Sequence, residues 1–445
     1  MKIYLDTVGC RLNQSEIETF ARQFLAGGHT LVSTLQAADL AVINTCTVTA
    51  SAASDSRQKI RQATRSGSRQ VIVTGCWATM EPHKAAAMPG VSQVVPNIDK
   101  DKLVKRMHTG RPDSGLFMVP RQPVPGARMR TRAFIKVQDG CDNRCAFCIA
   151  TLARGAGRSR PAGEVLADIN AALAGEAQEV VLTGVHLGSW GHDFSPPTTL
   201  RCLVETTLSQ TPVPRLRLSS LEPWDLDEDF FLLWADPRLC PHLHLPLQSG
   251  CTQTLHRMGR RTTPQAYTRL IEAAQKAIPD VAITTDIMVG FPGESEQEFA
   301  ESLAFVQQMD FAGGHVFTYS ARPVTRAAAM PEQVPHPLRK ERNAAMRLVF
   351  ANAASRYRRR FLGQTLEVLW EQAAPLGACA TNRESWMLNG LTGNYLRVTT
   401  AAAEERWNQI NPVFLTELTR KGLYGEICDL SITNVSNRRM ARIKQ

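Results

Sequence analysis

Three cysteines, Cys141, Cys145 and Cys148, lie within the eight-residue run CDNRCAFC and are called the triplet below. Because they are so close in sequence, one loop can wrap three corners of a metal centre. A tetrahedral zinc site would need a fourth protein ligand nearby, and no cysteine or histidine follows before His186. Three thiolates therefore favour an iron–sulfur cubane with one iron open to a small molecule, over a structural zinc site or thiols that bind nothing.

A second group of cysteines, the N-terminal set, consists of Cys10, Cys46 and Cys76. Each follows a strand-like run, in LDTVGC, INTC and VTGC. Since parallel strands present their C-terminal ends at one edge of a sheet, the three thiols would meet there. Single cysteines are usually small buried side chains, and unrelated ones would be scattered. Their shared position in three strand units indicates a second metal site, again without a fourth protein ligand.

The strand pattern of the middle segment predicts the frame that holds the triplet. Six strand-like runs alternate with helical sequence: AFIKVQDG, EVVLTGVHL, RLRLSSLEP, HLHLPLQSG, AITTDIMVGFPG and GHVFTYSARP. Repeated βα units predict a barrel three-quarters closed, with its chemistry at the C-terminal strand ends. An ordinary doubly wound sheet is the alternative. His242 and His244 alternate along HLHLPL and share one face, which is typical of an interior pair rather than a metal site.

The chain divides into three parts of different composition. The boundaries are predicted at residues 1–110, 130–360 and 361–430. A proline-rich linker is predicted over 109–130. The first part reads as α/β with a parallel sheet, and its first helix as starting with a capping box of Ser15 and Glu18. The last part has short alternating runs with glycine turns, which predict a small five-stranded antiparallel β-barrel.

The charge balance points to a polyanionic partner. The 445 residues include 51 basic and 41 acidic side chains, which gives a net charge of +10. Arginines at i, i+4 and i+8 in SDSRQKIRQATRSGSR could contact phosphates, although such a face is as often only solvated. The candidate RNA-binding residues there and before the last part are Arg57, Arg61, Arg65, Arg356, Arg358 and Arg359.

The composition also indicates where the protein works. Eleven cysteines are too sparse for a disulfide scaffold, and MKIYLDTVGC is too polar for an export signal, so we expect reduced thiols in the cytoplasm. No stretch approaches the ~18 unbroken apolar residues of a membrane span, so no membrane association is expected. The sequence does not indicate the oligomeric state.

With both cysteine groups placed, the motifs resemble those of the radical S-adenosylmethionine methylthiotransferase family. The matching runs are TVGCRLNQ, INTCTVT, VTGCW, FIKVQDGCDNRCAFCI, RGAGRSR, RLSSLEP, HLHLPLQSG and ITTDIMVGFPGE. The resemblance implies two [4Fe–4S] clusters, an auxiliary one on the N-terminal set and one on the triplet that binds S-adenosylmethionine. It also implies a radical S-adenosylmethionine core and a C-terminal barrel of the TRAM type.

Within this family, INTCTVT, GVHLGSWG and GLTGNYLRV are similar to a branch that acts on tRNA. That branch adds a methylthio group at C2 of N6-threonylcarbamoyladenosine at position 37, beside the anticodon. The implied partners are the tRNA anticodon stem-loop and an external electron donor. The same chemistry on N6-isopentenyladenosine in tRNA or on a ribosomal-protein aspartate is one alternative, and a non-catalytic iron–sulfur RNA-binding protein is another.

Residues at strand ends are the candidates for holding the S-adenosylmethionine. They are Thr183, Gly184, Ser220, Glu222 and Gln248. Glu222 could bind ribose hydroxyls or an ammonium group, or could simply lie near a helix start. Three positions depart from the family pattern: Ala150 replaces a proline, Val324 a glycine and Cys251 a polar residue. These departures bear on the fit of the substrate, since all six cluster cysteines are present.

Overall fold

A computed structural model describes residues 1–107, 119–122, 131–378 and 384–428. Most of the predicted linker, 109–130, lies outside the described residues. None of the described helices is both long and apolar enough to cross a membrane. Three bodies of structure follow one another along the chain.

The first body is a parallel sheet, as predicted, and it has five strands in the order β2-β1-β3-β4-β5. The strands are β1 (Lys2–Thr7), β2 (Thr30–Leu31), β3 (Leu40–Thr45), β4 (Gln70–Gly75) and β5 (Val91–Val95). The helices are α1 (Arg11–Ala26), α2 (Ala50–Arg65), α3 (Cys76–Met80), α4 (Pro82–Ala86) and α5 (Leu103–Met107). The central strand β3 is buried along its whole length, which explains why its sequence starts with a continuous apolar run.

Helix α1 begins earlier than its predicted capping box, so that prediction is wrong. Its N-cap is Cys10, which places Ser15 and Glu18 inside the helix. Both side chains bond outside the helix instead. The Ser15 hydroxyl accepts a hydrogen bond from the Lys136 backbone at 2.9 Å, and the Glu18 carboxylate accepts two from Arg121 at 2.8 and 2.9 Å. Tertiary partners therefore account for a pattern that looked like a local cap.

The second body contains six parallel strands in the order β6-β9-β10-β11-β12-β13, which confirms the predicted partial barrel. Bridges from Leu216 to Leu239 and from Ser220 to His244 join its two three-stranded halves. The strands, with a short antiparallel pair β7 and β8, are β6 (Arg132–Lys136), β7 (Gln138–Asp139), β8 (Arg158–Ser159), β9 (Glu179–Thr183), β10 (Arg215–Leu218), β11 (His242–His244), β12 (Ala282–Val289) and β13 (Gly313–Thr318). The helices are α6 (Ala150–Arg154), α7 (Ala162–Ala174), α8 (Leu200–Gln210), α9 (Thr252–Met258), α10 (Pro264–Ala277), α11 (Glu296–Gln308) and α12 (His336–Arg359).

The third body is a five-stranded barrel, as predicted; it is closed, and its strand order is β14-β15-β16-β18-β17. Its strands are β14 (Thr365–Ala378), β15 (Glu384–Thr392), β16 (Arg397–Ala402), β17 (Ile410–Leu418) and β18 (Leu423–Ile427). All neighbours pair antiparallel except β16 and β18, which are parallel. Tyr357 and Phe361, at the end of α12 and just beyond it, belong to the apolar core of the barrel and anchor it to the second body.

A buried ion network lies beneath the loop between β15 and β16. Glu179 accepts hydrogen bonds from Arg217 at 2.7 and 3.0 Å and pairs with Arg215 at 3.1 Å. Arg217 also donates to the carbonyls of Thr392 and Gly393 in that loop, at 3.3 and 2.8 Å. Burial raises the pKa of Glu179, but the two arginines outweigh burial and bring it to about 2. The network therefore joins the barrel loop to the second body, because Arg217 binds both Glu179 and the carbonyls of that loop.

We expect Glu179→Gln to lower the free energy of unfolding at pH 7 by about 3 to 5 kcal/mol, because two guanidinium groups would stay buried without their carboxylate. Folding lowers the pKa of Glu179 from 4.5, so its contribution is complete above pH 4.5 and is lost as the pH falls towards 2. The difference in urea midpoint between wild type and variant should narrow over that range. Glu205→Gln, which breaks an exposed pair with Arg201, is the control and should leave the midpoint nearly unchanged. A urea midpoint for Glu179→Gln equal to that of wild type at pH 7 would contradict this account.

Candidate functional site

The N-terminal set comes together at the C-terminal edge of the first sheet. Its cysteines follow the adjacent parallel strands β1, β3 and β4. Gly9 has a φ of 107°, and a side chain there would lie 2.6 Å from the Cys46 Sγ. Burial, with smaller contributions from Cys76 and Cys10, raises the pKa of the Cys46 thiol to about 11. A metal that binds here must therefore displace the proton of the Cys46 thiol.

Two amide side chains hold the thiols of this set. Asn97 donates to the Cys76 Sγ at 3.6 Å and to the Ala153 carbonyl at 2.6 Å, so it links the set to the second body. Asn13 accepts from the Cys10 thiol at 3.8 Å and is itself buried and bonded to two strand-end carbonyls. Both sulfurs are therefore oriented by residues that have other fixed partners.

Buried charges fix the first sheet against the second body next to these thiols. Arg154 donates to Glu16 at 3.0 Å, to Asp139 at 2.8 Å and to Asn13 at 2.7 Å. Glu16 also accepts from Lys100 at 2.8 Å. Burial raises the pKa of Glu16, but Arg154 and Lys100 hold it well below its usual range. Because every charge is paired, the network defines how the two bodies meet.

The triplet lies on the loop between β7 and α6. Each of its sulfurs accepts an N–H hydrogen bond from a backbone or guanidinium donor: Cys141 from the Asn143 backbone at 3.4 Å, Cys145 from Arg260 Nη1 at 3.7 Å and Cys148 from the Ala150 backbone at 3.4 Å. Burial, with smaller contributions from the other two thiols, raises the pKa of Cys148 to about 11. Donors aimed at sulfur stabilise the thiolate, which is the form that binds metal.

A cation and a histidine contact the triplet from outside. Arg260 donates to both carboxylate oxygens of Glu222, at 3.0 and 2.6 Å. Glu222, a candidate for holding the cofactor, is therefore engaged by Arg260. His186 lies 2.6 Å from Asp225. Burial lowers the pKa of His186, but hydrogen bonds to Asp225 and Cys141 raise it to about 10.

A cavity of about 560 Å³ joins the N-terminal set to the strand ends of the second body. This volume is typical of sites for small molecules and nucleosides. Ala150, two residues after the last cysteine of the triplet, also lines the cavity, whereas the triplet itself is not part of the lining. All three bodies contribute to its walls, which include Cys10, Cys46, Cys76, Thr183, Gly184, Ser220, His242, His244 and Tyr395.

Only some of the strand-end candidates line this cavity. Thr183, Gly184 and Ser220 line it. Gln248 does not; it has a φ of 79°, and its backbone N–H donates to the Asp286 carbonyl at 2.8 Å. Binding of S-adenosylmethionine by these residues stays a prediction.

The two histidines of HLHLPL form one wall of the cavity. They share the Thr284 hydroxyl, at 3.1 Å from His242 and 2.9 Å from His244. Burial lowers the pKa of His242 well below its usual value, and nearby arginines add to this effect, so the ring is neutral. That ring stacks on Tyr395, with the ring centres 4.3 Å apart and the planes 12° from parallel.

The candidate RNA-binding arginines lie on two helices. On α2, Arg61 and Arg65 are exposed and Arg57 is half-buried. On the last turn of α12, Arg356 and Arg359 are exposed and Arg358 is half-buried. Both groups are accessible to a phosphate backbone, and their contact with RNA stays a prediction.

The departures from the family pattern differ in their surroundings. Val324 is 72% exposed and has a φ of 70°, a left-handed conformation that is rare for a β-branched residue and suits glycine. Cys251 is buried, and its thiol donates to Gln253 at 3.0 Å. Ala150 lines the cavity, so of the three it is the one placed to affect what the cavity holds.

Arg11 and Tyr395 are among the cavity residues that sequence reasoning missed. Arg11 lines the cavity, and the available signal was its position directly after Cys10. Tyr395, 384 positions away, accepts a hydrogen bond from Arg11 Nη2 at 2.8 Å. Tyr395 has a φ of 65° and directly follows the turn residues Gly393 and Asn394. No local sequence pattern indicates that its partner is Arg11.

Comparison with known proteins agrees with this architecture. The model of the Radical SAM superfamily matches residues 135–306, and that of the uncharacterized protein family UPF0004 matches residues 2–96. Among solved structures, the radical S-adenosylmethionine methyltransferase TsrM from Kitasatospora setae has a similar fold, with a TM-score of 0.56 and 15% identity over 74% of this chain and 75% of that one. The fold and the three-thiol loop thus define a radical S-adenosylmethionine protein.

Curated relatives narrow this class. The threonylcarbamoyladenosine tRNA methylthiotransferase MtaB of Bacillus subtilis is 35% identical over 91% of both chains. Its namesake in Thermotoga maritima is 32% identical over 88% of this chain and 92% of the relative. The tRNA-2-methylthio-N(6)-dimethylallyladenosine synthase of Caldicellulosiruptor saccharolyticus is 30% identical over 95% and 92%. The chain belongs to the radical S-adenosylmethionine methylthiotransferase family, which confirms the family prediction.

Proposed function

We propose that the chain inserts a methylthio group at C2 of N6-threonylcarbamoyladenosine at position 37 of tRNA by a radical S-adenosylmethionine mechanism. The observation that carries this proposal is the meeting of the N-terminal set with the strand ends of the second body at one cavity. Adenine C2 has no acidic proton, so acid–base side chains cannot functionalise it, whereas a radical can. The names of the Bacillus subtilis and Thermotoga maritima relatives support the target.

The surroundings of the N-terminal set fit an anionic iron–sulfur cluster. Arg322 interacts electrostatically with Cys46, and its Nε and Nη2 are buried without a hydrogen-bond partner among the described residues. Burying an unpaired cation costs free energy unless an anion neutralises its charge. No three His, Cys, Asp or Glu side chains in the described part of the chain are grouped to hold a single metal ion. The thiolates of a cluster bind different irons and therefore stand further apart than the ligands of one ion.

We assign one [4Fe–4S] cluster to the triplet, with its open iron for S-adenosylmethionine, and a second to the N-terminal set. When bound, these groups supply the radical chemistry and the sulfur that C2 requires. Thr183, Gly184 and Ser220 line the cavity and would hold the cofactor there.

The chain's own side chains orient and shield these groups. Arg260 bonds Cys145 on one side and Glu222 on the other, so it keeps a positive charge beside the triplet. In the cavity, the stacked rings of His242 and Tyr395 form a closely packed wall. Such walls exclude water, which would otherwise quench a reactive intermediate.

The partner in this proposal is the anticodon stem-loop of tRNA. The exposed arginines of α2 and of the end of α12 would contact its phosphates, and the net charge of +10 would favour its approach. An external electron donor would reduce the triplet cluster. We place the protein in the cytoplasm, where its cysteines stay reduced and tRNA is available.

The direct test uses purified protein with reconstituted clusters, S-adenosylmethionine and a chemical reductant. We expect it to convert tRNA carrying N6-threonylcarbamoyladenosine to the methylthio derivative, identified by mass spectrometry of the digested nucleosides. A tRNA with N6-isopentenyladenosine is the competing substrate, since one relative is named for dimethylallyladenosine. Preference for that tRNA would overturn the target. RNA binding with no product from either tRNA would favour the non-catalytic alternative.

A further inference from the structure

Two arginines line the cavity, and they differ in how their charge is balanced. Arg154 is bound by the carboxylates of Glu16 and Asp139. Arg11 forms no ion pair with a carboxylate in the part of the chain that the structure describes. Its guanidinium is half-buried and donates to the Tyr395 hydroxyl at 2.8 Å. Arg11 therefore presents a partly desolvated charge to the cavity.

The charges around Tyr395 leave this corner of the cavity short of an anion. Burial raises the pKa of the Tyr395 hydroxyl, but Arg11, Arg132 and Arg217 together lower it below its usual value. Arg132 and Arg217 each have a carboxylate partner. Of these three arginines, Arg11 is thus the one without a carboxylate partner among the described residues, which favours a ligand with a negative group at this wall.

The candidate substituents on the adenosine differ in this respect. The N6-threonylcarbamoyl group ends in a carboxylate, whereas an isopentenyl group is apolar. A guanidinium binds a carboxylate with two parallel N–H donors, and leaves part of its charge uncompensated beside an apolar group. We propose that Arg11 binds the carboxylate of the threonylcarbamoyl group, and that Tyr395 is a positioning residue that holds the guanidinium. This inference rests on the proposed function and names the residue that selects its substrate.

Binding of two anticodon stem-loop RNAs tests the proposal, one with N6-threonylcarbamoyladenosine and one with unmodified adenosine at position 37. Fluorescence anisotropy with the reconstituted protein should show that wild type binds the first roughly 10- to 100-fold more tightly, as expected for a charge-assisted pair. Arg11→Gln should remove this preference, so that the two RNAs bind with about equal affinity. Tyr395→Phe should reduce the preference, because the guanidinium loses its anchor.

Arg61→Gln is the matched control, since it removes the same charge from the exposed face of α2. Arg61→Gln should weaken the binding of both RNAs by the same factor, so the preference for the modified RNA should remain. Iron content and the visible absorption spectrum monitor the clusters, because Arg11 follows Cys10. A preference retained in Arg11→Gln, or equal weakening of both RNAs by it, overturns the assignment. If that variant does not assemble its clusters, an unchanged preference in Tyr395→Phe overturns it. The proposed function is judged separately, by product formation with wild type.

Discussion

Cys141→Ala is expected to abolish cleavage of S-adenosylmethionine, with the amount of 5′-deoxyadenosine formed falling by about 100-fold or more. Replacing a residue that only supports a metal ligand lowers activity by about 10- to 100-fold, and loss of a ligand itself should cost at least as much. The Cys141 sulfur accepts the Asn143 N–H and has His186 beside it. Alanine offers no ligand, and two thiolates cannot hold a cluster that needs three protein corners. Chromatography of 5′-deoxyadenosine after incubation with reductant measures the loss.

Cys202→Ala is the control for this variant. Cys202 is exposed on α8 and lies outside the cavity lining, so cofactor cleavage should stay at the wild-type level. Wild-type cleavage by Cys141→Ala would exclude the triplet as the radical site. Loss of cleavage in both variants would indicate general damage from cysteine replacement.

Cys46→Ala is expected to separate the two halves of the reaction. The variant should still cleave S-adenosylmethionine, because the triplet and its supports Arg260 and Glu222 are untouched. It should not insert sulfur, with methylthio product falling by about 100-fold or more, because the N-terminal set loses one of the three ligands proposed for its cluster. After anaerobic reconstitution, we expect about four irons per chain in place of about eight.

Two measurements on Cys46→Ala test the two halves of the reaction separately. Nucleoside mass spectrometry measures sulfur insertion, and chromatography of 5′-deoxyadenosine measures cleavage in the same sample. Full sulfur insertion by this variant would refute the division of labour between the two thiol groups. Loss of both cleavage and sulfur insertion would show that the two thiol groups are not independent.

The parts of the site that follow strand polarity were predictable from the sequence. Cys10, Cys46 and Cys76 each follow a strand, and parallel pairing alone brings the three strand ends to one edge. The same argument placed Thr183 and Ser220 at the cavity. Here a local pattern and one rule of topology are enough.

The parts that depend on tertiary partners were not predictable. Ser15 and Glu18 look like a cap, but Lys136 and Arg121 bind them from other elements. Arg260, 38 positions later, binds the carboxylate of Glu222, and no local pattern indicated that pair; the role of Glu222 towards the cofactor stays a prediction. Pairings over such separations leave no trace in local periodicity.

The loop of the third body that carries Tyr395 closes a cavity whose other walls are encoded far earlier in the chain. On the ribosome, both groups of cysteines emerge long before this loop. A nascent chain can therefore fold its first sheet while the pocket still stands open to solvent. Only the late arrival of the barrel adds the last wall, so the order of synthesis itself decides when the cavity is complete.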